Sequence, residues 1–417
     1  MAERVVVVGG GIIGLSCAYY LERDGFDVTV IDQNQIAAAC SHGNCGYICP
    51  SHVLPLTVPG AVKMALKSLF IPNAPFRVKP SLDPDLLSWM WQFAKRCNHD
   101  SMIAAGHHLK AILDFSMQAY RDLIEKEQLN CEWRDDGLMY AFGSEKSLDA
   151  FAREDALLQS EFGVGARRFD GKDVCAWEPS LRDDLAGAFL YEGDATVRPD
   201  ALNKSLRDLL VSRGVQLEEQ CAFSGLKKRG AKVVALETSG GILEADHVVL
   251  AVGAWSAKWE RTFQCALPVQ PGKGYSVTMQ APAGSPVKSM LFPEKRVGVT
   301  PMDGYLRFGS MMEFSGYDSS IPKTRLQMLR DGVNPYLVRP IEQAVEETWY
   351  GWRPMTYDSL PIIGRTPKLS NVVLATGHNM LGLSMGAGTG LLVAGIIRKE
   401  DPLIDLNPFD PARFQRG

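Results

Sequence analysis

At 417 residues the chain exceeds the size at which one hydrophobic core usually stops growing, so two intimately joined domains are expected. A formal net charge of −4 with 22% charged residues carries no polyanion-binding signature and argues against nucleic acid as a partner, leaving a small substrate. No apolar run is long enough to cross a bilayer, and the amino terminus reads as a core strand rather than a cleavable leader. A cytoplasmic protein is expected, with peripheral contact on the inner membrane left open. Nine cysteines without regular spacing fit a reducing compartment better than a disulfide framework.

The first element is the most informative. Val5-Val6-Val7-Val8 runs into Gly9-Gly10-Gly11-Ile12-Ile13-Gly14, and Val28-Thr29-Val30-Ile31 ends on Asp32. That is strand, glycine turn, helix, and a second strand closed by an acid. Gly9 permits the tight turn, Gly11 lets backbone approach a pyrophosphate, and Gly14 lets the helix pack close to the sheet, while Asp32 suits an adenosine ribose. The unit starts the chain, and the residues after Asp32 do not resemble a simple nicotinamide domain. From Asp32 to Pro50 the sequence is rich in small residues, as expected of a loop threaded along a long flat cofactor. FAD is therefore favoured over NAD. Cys40, His42, Cys45 and Cys49 lack the close pairing of structural zinc, so no metal is expected there. Whether the flavin is covalently attached stays open.

Apolar residues at helical spacing predict helices over Leu86 to Cys97, His107 to Glu127 and Lys146 to Phe162. Trp89, Trp91 and Phe93 read as core of an amphipathic helix rather than a stacking set, and His107 and His108 as surface or packing residues. Pro199 opens a further helix that ends at Gly214. The buried strand Asp246 to Val252, broken at Gly253, signals a return to the parallel sheet past the ligand. Lys273 to Met279, Arg296 to Pro301 and Tyr305 to Ser310 alternate as short strands of an antiparallel substrate domain. Strand Asn371 to Thr376 then leads through Gly377-His378-Asn379-Met380-Leu381-Gly382-Leu383-Ser384 into a helix over Met385 to Arg398. The positive end of that helix is expected to face the N1/C2 oxygen region of the flavin.

Several segments together resemble the D-amino acid oxidase superfamily of FAD-dependent amine oxidoreductases, most closely its bacterial D-amino acid dehydrogenase branch. They are VVVVGGGIIGL, HGNCG, VVLAVGAWS, PGKGYSV, YLRFGSMMEF, GWRPMTYDSLPIIG and TGHNMLGLSMGAGTG, in order over nearly the whole chain. The fold class implied is α/β (α+β overall): a Rossmann-type FAD-binding domain with an inserted antiparallel-sheet substrate domain. The expected division is 1–85, 196–265 and 346–417 for the FAD-binding domain, 86–195 for helical and substrate-domain segments, and 266–345 for the antiparallel sheet.

The expected cofactor contacts lie on the same segments. They are Gly9, Gly11, Ile12, Ile13 and Gly14 at the first turn, Asp32 and Gln33 after the second strand, and Ser41, His42, Asn44, Cys45 and Gly46 in the loop. Phe223, Gly253 and Trp255, then Gly382, Leu383 and Ser384, complete the set. The resemblance implies that Arg353 clamps a substrate carboxylate, a role suited to a planar two-donor guanidinium. Tyr275 is the candidate second donor, because Met380 stands where glycine-oxidase-like relatives carry an arginine. His378 is the candidate contact near flavin or substrate. Arg307 replaces the oxygen-activating lysine of sarcosine-oxidase-like relatives, which leans against an oxidase.

The expected reaction is oxidative deamination of a D-amino acid to a 2-oxo acid, by hydride transfer from Cα to flavin N5, with electrons passed to a quinone or similar acceptor. The alternatives are an oxygen-using oxidase of glycine, sarcosine or proline-type amino acids, and a noncatalytic FAD-binding subunit. The oligomeric state is not legible.

Overall fold

Because the valine run Val5 to Val8 is apolar on both faces, it can only lie in the middle of a sheet covered on both sides. In the computed structural model, which describes residues 2–68, 71, 74–79 and 81–415, it does. Strand Arg4–Val8 lies between Asp27–Ile31 and His247–Leu250, parallel to both; Gln216–Glu218 extends one edge and Val372–Thr376 the other. Ile362–Arg365 closes the sheet as an antiparallel edge strand. Val5 and Val7 face a core shared with helices Ile12–Arg23 and Gly386–Arg398. Val6 and Val8 face the opposite core, under a three-stranded antiparallel sheet of Phe223–Arg229, Lys232–Thr238 and Gly241–Glu244.

The second body is a nine-stranded sheet. Its order is Val345–Thr356, Val269–Gln280, Tyr305–Phe314, Val297–Met302, Met290–Phe292, Leu138–Phe142, Gly187–Tyr191 and Arg167–Asp170, with Phe76–Val78 added beside Tyr305–Phe314. Two pairings are parallel and the rest antiparallel. The three strands read from the sequence are here, the first and third longer than expected and the second shifted by one residue. Val345–Thr356, placed almost whole in the 346–417 nucleotide segment by the sequence reading, pairs instead along Val269–Gln280 at the edge of this sheet. The GWRP arginine is thus carried by the large sheet, because an extended 12-residue strand can hydrogen-bond a long partner that its local sequence does not reveal.

Helices Pro84–Arg96, Glu145–Phe162 and Pro199–Ser212 lie close to the expected ranges. The long helix begins eight residues earlier than expected, at His99, capped by the Asn98 side chain on the Ser101 amide. Gly106, which interrupts the sequence pattern, is needed there: a β-carbon would lie 2.5 Å from the Phe162 ring. Helix Gly386–Arg398 packs against Ile12–Arg23 and the long helix through its glycines, since β-carbons on Gly390 and Gly388 would meet Ser16 backbone at 2.5 Å and Ser116 at 2.8 Å. Among the described residues no helix is long and apolar enough to cross a membrane.

Candidate functional site: a shared cavity between the two sheets

A cavity of about 1060 Å3 runs from the Gly9 turn to the wall of the large sheet. At the nucleotide end the backbone does most of the work. Gly9 sits at φ +107°, and a β-carbon on it would lie 2.4 Å from the Ala251 carbonyl, so no other residue fits. A β-carbon on Gly14 would lie 1.8 Å from the Gly9 carbonyl; Gly14 packs helix on turn and does not line the cavity. Asp32 accepts the Gly10 amide at 2.8 Å and the Asn34 amide at 2.9 Å, so it shapes the turn in addition to facing the cavity.

The loop after Asp32 folds over the helix start. Ser41 accepts the Ile12 amide at 2.9 Å, and its own carbonyl is held by Asn203 at 2.9 Å and Asn44 at 3.2 Å. Asn203, on helix Pro199–Ser212, was not legible as a site residue because only the fold brings it to residue 41. Gly11, Ile12, Ile13, Gln33, Ser41, Asn44, Cys45 and Gly46 line the cavity, as do Phe223, Gly253 and Trp255. His42 does not. Its Nε2 pairs with Glu347 at 2.6 Å on the outside, and Glu347 also receives Arg307 at 3.2 Å. Arg307 is almost fully buried; it donates to Thr278 at 2.9 Å and to the carbonyls of His42 and Asn44. It braces the loop and is absent from the cavity lining. Cys40, His42, Cys45 and Cys49 do not gather into a ligand set.

At the carboxyl side, the turn before helix Gly386–Arg398 meets the cavity, through Gly382, Leu383 and Ser384. The helix itself does not. Its Gly388 amide is taken by the Ser116 hydroxyl at 3.0 Å, so the helix end expected to face the flavin is partly satisfied within the protein. Tyr120 holds the Leu383 carbonyl at 2.8 Å, and Ser384 accepts the Cys49 amide at 3.1 Å while donating to the Tyr47 carbonyl at 3.0 Å. His378 lines the cavity but is 1% exposed, shares a hydrogen bond of 3.0 Å with Thr389, and is pushed down to about 3 by burial, so it stays neutral. Met380 is exposed at the cavity rim.

The large sheet contributes Arg353. Its guanidinium lies over Gly274, where a β-carbon would sit 2.3 Å from Nη1, so the glycine of the KGYS strand is the space the arginine occupies. Arg353 donates to the Met311 carbonyl at 2.7 Å, and Met311 holds an unusual φ of +75°. Among the described residues no carboxylate pairs with it; burial lowers its pKa, and its nearest titratable neighbours are Cys40 and Cys45. Tyr275 is also among the lining residues, but its hydroxyl donates to Glu313, which pairs with Arg325. That proton is committed, so Tyr275 is not a free donor to a ligand. Trp352, unforeseen from the sequence, lines the cavity with a buried indole N–H that has no partner, and packs edge-on against Trp255 at 5.7 Å.

These residues fit FAD. Glycine turns without side chains face the cavity, Gly253 has open space where a β-carbon would project, and Gly11 meets only the Ser41 hydroxyl, at 3.3 Å. The comparisons agree with the geometry. The sequence profile of the family described as FAD dependent oxidoreductase matches residues 4–396. The chain is 31% identical over 418 residues to a D-amino acid dehydrogenase of Neisseria meningitidis serogroup C / serotype 2a, covering 99% of this chain and 100% of that one. It is 30% identical to one of Neisseria gonorrhoeae (strain NCCP11945) with the same coverage. Glycine oxidase from Geobacillus kaustophilus shares the fold at a TM-score of 0.78 and 22% identity, covering all of both chains. L-proline dehydrogenase from P. horikoshii does so at 0.74 and 18%, covering 99% of this chain and 98% of that one. With its glycine turn, its returning strand and a family match over nearly its whole length, the chain belongs to the DAO family of FAD dependent oxidoreductases.

Proposed function

We propose that this chain oxidatively deaminates D-amino acids to 2-oxo acids and passes the electrons to a membrane quinone. The observation that carries the reading is Arg353, a guanidinium without a carboxylate partner among the described residues, in the wall of a largely apolar cavity. A cation held in an apolar cavity wall without counter-charge is costly, and an α-carboxylate supplies that charge through two parallel hydrogen bonds. The full-length likeness to proteins named D-amino acid dehydrogenase supports the substrate class.

Bound FAD supplies a two-electron oxidant. It would be held by the Gly9 to Gly11 turn, Asp32, the Ser41 to Gly46 loop and the Gly382 to Ser384 turn. The chain's own residues then do the aligning. Arg353 fixes position and rotation of the carboxylate, and Gly274 keeps its space clear. The same positive charge and the apolar walls disfavour an ammonium group, which favours the neutral amine from which oxidation proceeds. His378 remains neutral and, through Thr389, holds the turn rather than exchanging protons.

The acceptor reading draws on the cavity mouth. Met64, Leu66 and Leu87 line the cavity and are also 45%, 57% and 51% exposed, while Ile71, Leu82 and Trp91 are further exposed apolar residues of the same stretch of sequence. Lys63, Lys67, Arg77, Lys79, Lys95 and Arg96 occur in the same stretch against only Asp83 and Asp85. An apolar rim flanked by cations suits the surface of an anionic bilayer, where each cation contributes about 1 kcal/mol.

The test is an anaerobic screen of flavin bleaching with both enantiomers of alanine, proline and phenylalanine. Selective bleaching by the D forms is expected; a clear preference for the L forms overturns the substrate class. Reoxidation by a soluble quinone should outpace reoxidation by oxygen, and the reverse would make the enzyme an oxidase. Sedimentation with anionic vesicles, weakened in Leu87→Glu, checks the rim.

A further inference from the structure

In the wall of the cavity lies a group of side chains that neither the cofactor nor the carboxylate reading uses. Cys49, His52 and Asp194 bring one ligand atom each to within 4.8 Å of one another, and they are the only such group of three among the described residues. Cys49 and Asp194 are essentially without solvent contact. Four separate stretches of chain meet here, two of which supply the three side chains. Asp194 accepts the Ser51 amide at 3.0 Å and the Ser51 hydroxyl at 2.6 Å, and its own carbonyl accepts the Gly137 amide at 3.1 Å. The Cys49 amide is anchored on Ser384. His52 shares a 3.0 Å hydrogen bond between Nε2 and the Tyr140 hydroxyl, and its other nitrogen, Nδ1, is buried with no partner.

That orphan nitrogen is the informative atom. Whichever tautomer the ring adopts, Nδ1 forfeits a hydrogen bond it would make in water. A cation on Nδ1, with Nε2–H donating to Tyr140, removes the deficit and reproduces the way a second hydrogen bond orients a histidine ligand. The donor set selects the cation. Thiolate, imidazole and carboxylate together suit zinc, whereas calcium and magnesium take oxygen ligands.

We propose that Cys49, His52 and Asp194 form a binding site for one zinc ion in the cavity wall, with the fourth coordination position open to the cavity. Cys49 and His52 line the cavity and Asp194 stands behind them, so the open position faces inward. Ligand atoms around tetrahedral zinc lie about 3.5 Å apart, given Zn–S and Zn–N distances of about 2.3 and 2.0 Å. Closing the present group therefore takes side-chain shifts on the order of 1 Å. Burial raises the Cys49 thiol, so the thiol holds its proton before metal arrives. Binding replaces the S–H bond by a Zn–S bond, and the proton leaves to solvent without any redox step.

Equilibrium dialysis of the FAD-loaded enzyme against Zn2+, with metal analysis of the retentate, reads the site directly and independently of turnover. One zinc per chain is expected, with Mg2+ not retained. Cys49→Ser, His52→Gln and Asp194→Asn should each weaken zinc binding at least tenfold while keeping the visible flavin spectrum. Co2+ added to the wild-type holoenzyme should give a thiolate-to-cobalt charge-transfer band in a difference spectrum, which keeps the test decisive if a variant does not fold. Absence of stoichiometric zinc overturns the proposal. So does zinc bound equally by all three variants, or a cobalt complex without the thiolate band.

Discussion

The two ends of the cavity are built from different materials. At the nucleotide end the contacts come from backbone conformations within short stretches: Gly9 at φ +107°, the Gly10 amide on Asp32, and the Ile12 amide on Ser41. At the large-sheet end, proposed to take the substrate, a single side chain, Arg353, reaches its place only because Gly274 on the neighbouring strand leaves a hole and Met311 on the next one presents a carbonyl. The first end tolerates little change of backbone shape, and distant side chains, Asn203 and Arg307, only brace the carbonyls of its loop. The second depends on three strands keeping register, and its chemistry should be separable from cofactor retention.

The largest expected effect tests the backbone end. Gly11→Val adds a branched side chain where the chain faces the cavity and should abolish FAD retention, giving a colourless but folded protein. Recovery of a yellow variant with unchanged flavin content would move the phosphate site elsewhere.

Next comes the clamp. Arg353→Lys keeps the charge but loses the planar fork, so flavin content should stay normal. The rate of bleaching at saturating substrate should fall along with affinity, by about 1–3 kcal/mol. Stopped-flow measurement with unchanged rate and affinity would make Arg353 structural. A smaller loss, about tenfold or 1.4 kcal/mol, is expected for Gly274→Ala, because its β-carbon displaces the guanidinium without removing it. A Gly274→Ala enzyme with wild-type kinetics would break the link between the two strands.

The smallest effect lies away from both ends and separates stability from chemistry. Burial works against the charge on Glu294, yet the Ser144 and Tyr336 hydroxyls, the Gly143 amide and the Ser147 hydroxyl bring its carboxyl down from 4.5 to about 2. A depressed carboxyl contributes stability that is present above the unfolded value and lost as pH falls from about 4.5 toward about 2. Glu294→Gln should therefore cost about 1 kcal/mol or less near neutral pH, since the group is largely solvated, and nothing near pH 2. Denaturant unfolding at the two pH values checks the sign, and flavin content and kinetics should not change.

Much of the cavity lining at the nucleotide end was legible in the sequence. Gly9, Gly11 and Asp32 could be placed from spacing alone, because a turn, a close approach and a strand end each constrain residue type locally. It was less reliable where an atom's partner lies far along the chain. Tyr275 read as a free hydroxyl until strand Tyr305–Phe314 set Glu313 against it. His42 read as a cofactor contact until Val345–Thr356 brought Glu347 beside it. The amino end of helix Gly386–Arg398 read as open until Ser116 of the long helix took its Gly388 amide.

The chain's residue order by itself thus determined a parallel sheet of the nucleotide-binding type and its glycine turns, since periodicity and backbone permissiveness act within a few residues; the strand that carries Arg353 was set by its pairing with Val269–Gln280. Only the tertiary structure decided which polar atoms stay free. Whether a donor or acceptor is spent depends on partners tens to hundreds of residues away, as with Tyr140 on His52, 88 positions apart, and Asp194 on Ser51, 143 apart. His52 Nδ1 is left unspent because burial removed water from an atom to which the fold assigned no partner, and Arg353 is left facing the cavity with a backbone carbonyl, that of Met311, as its partner.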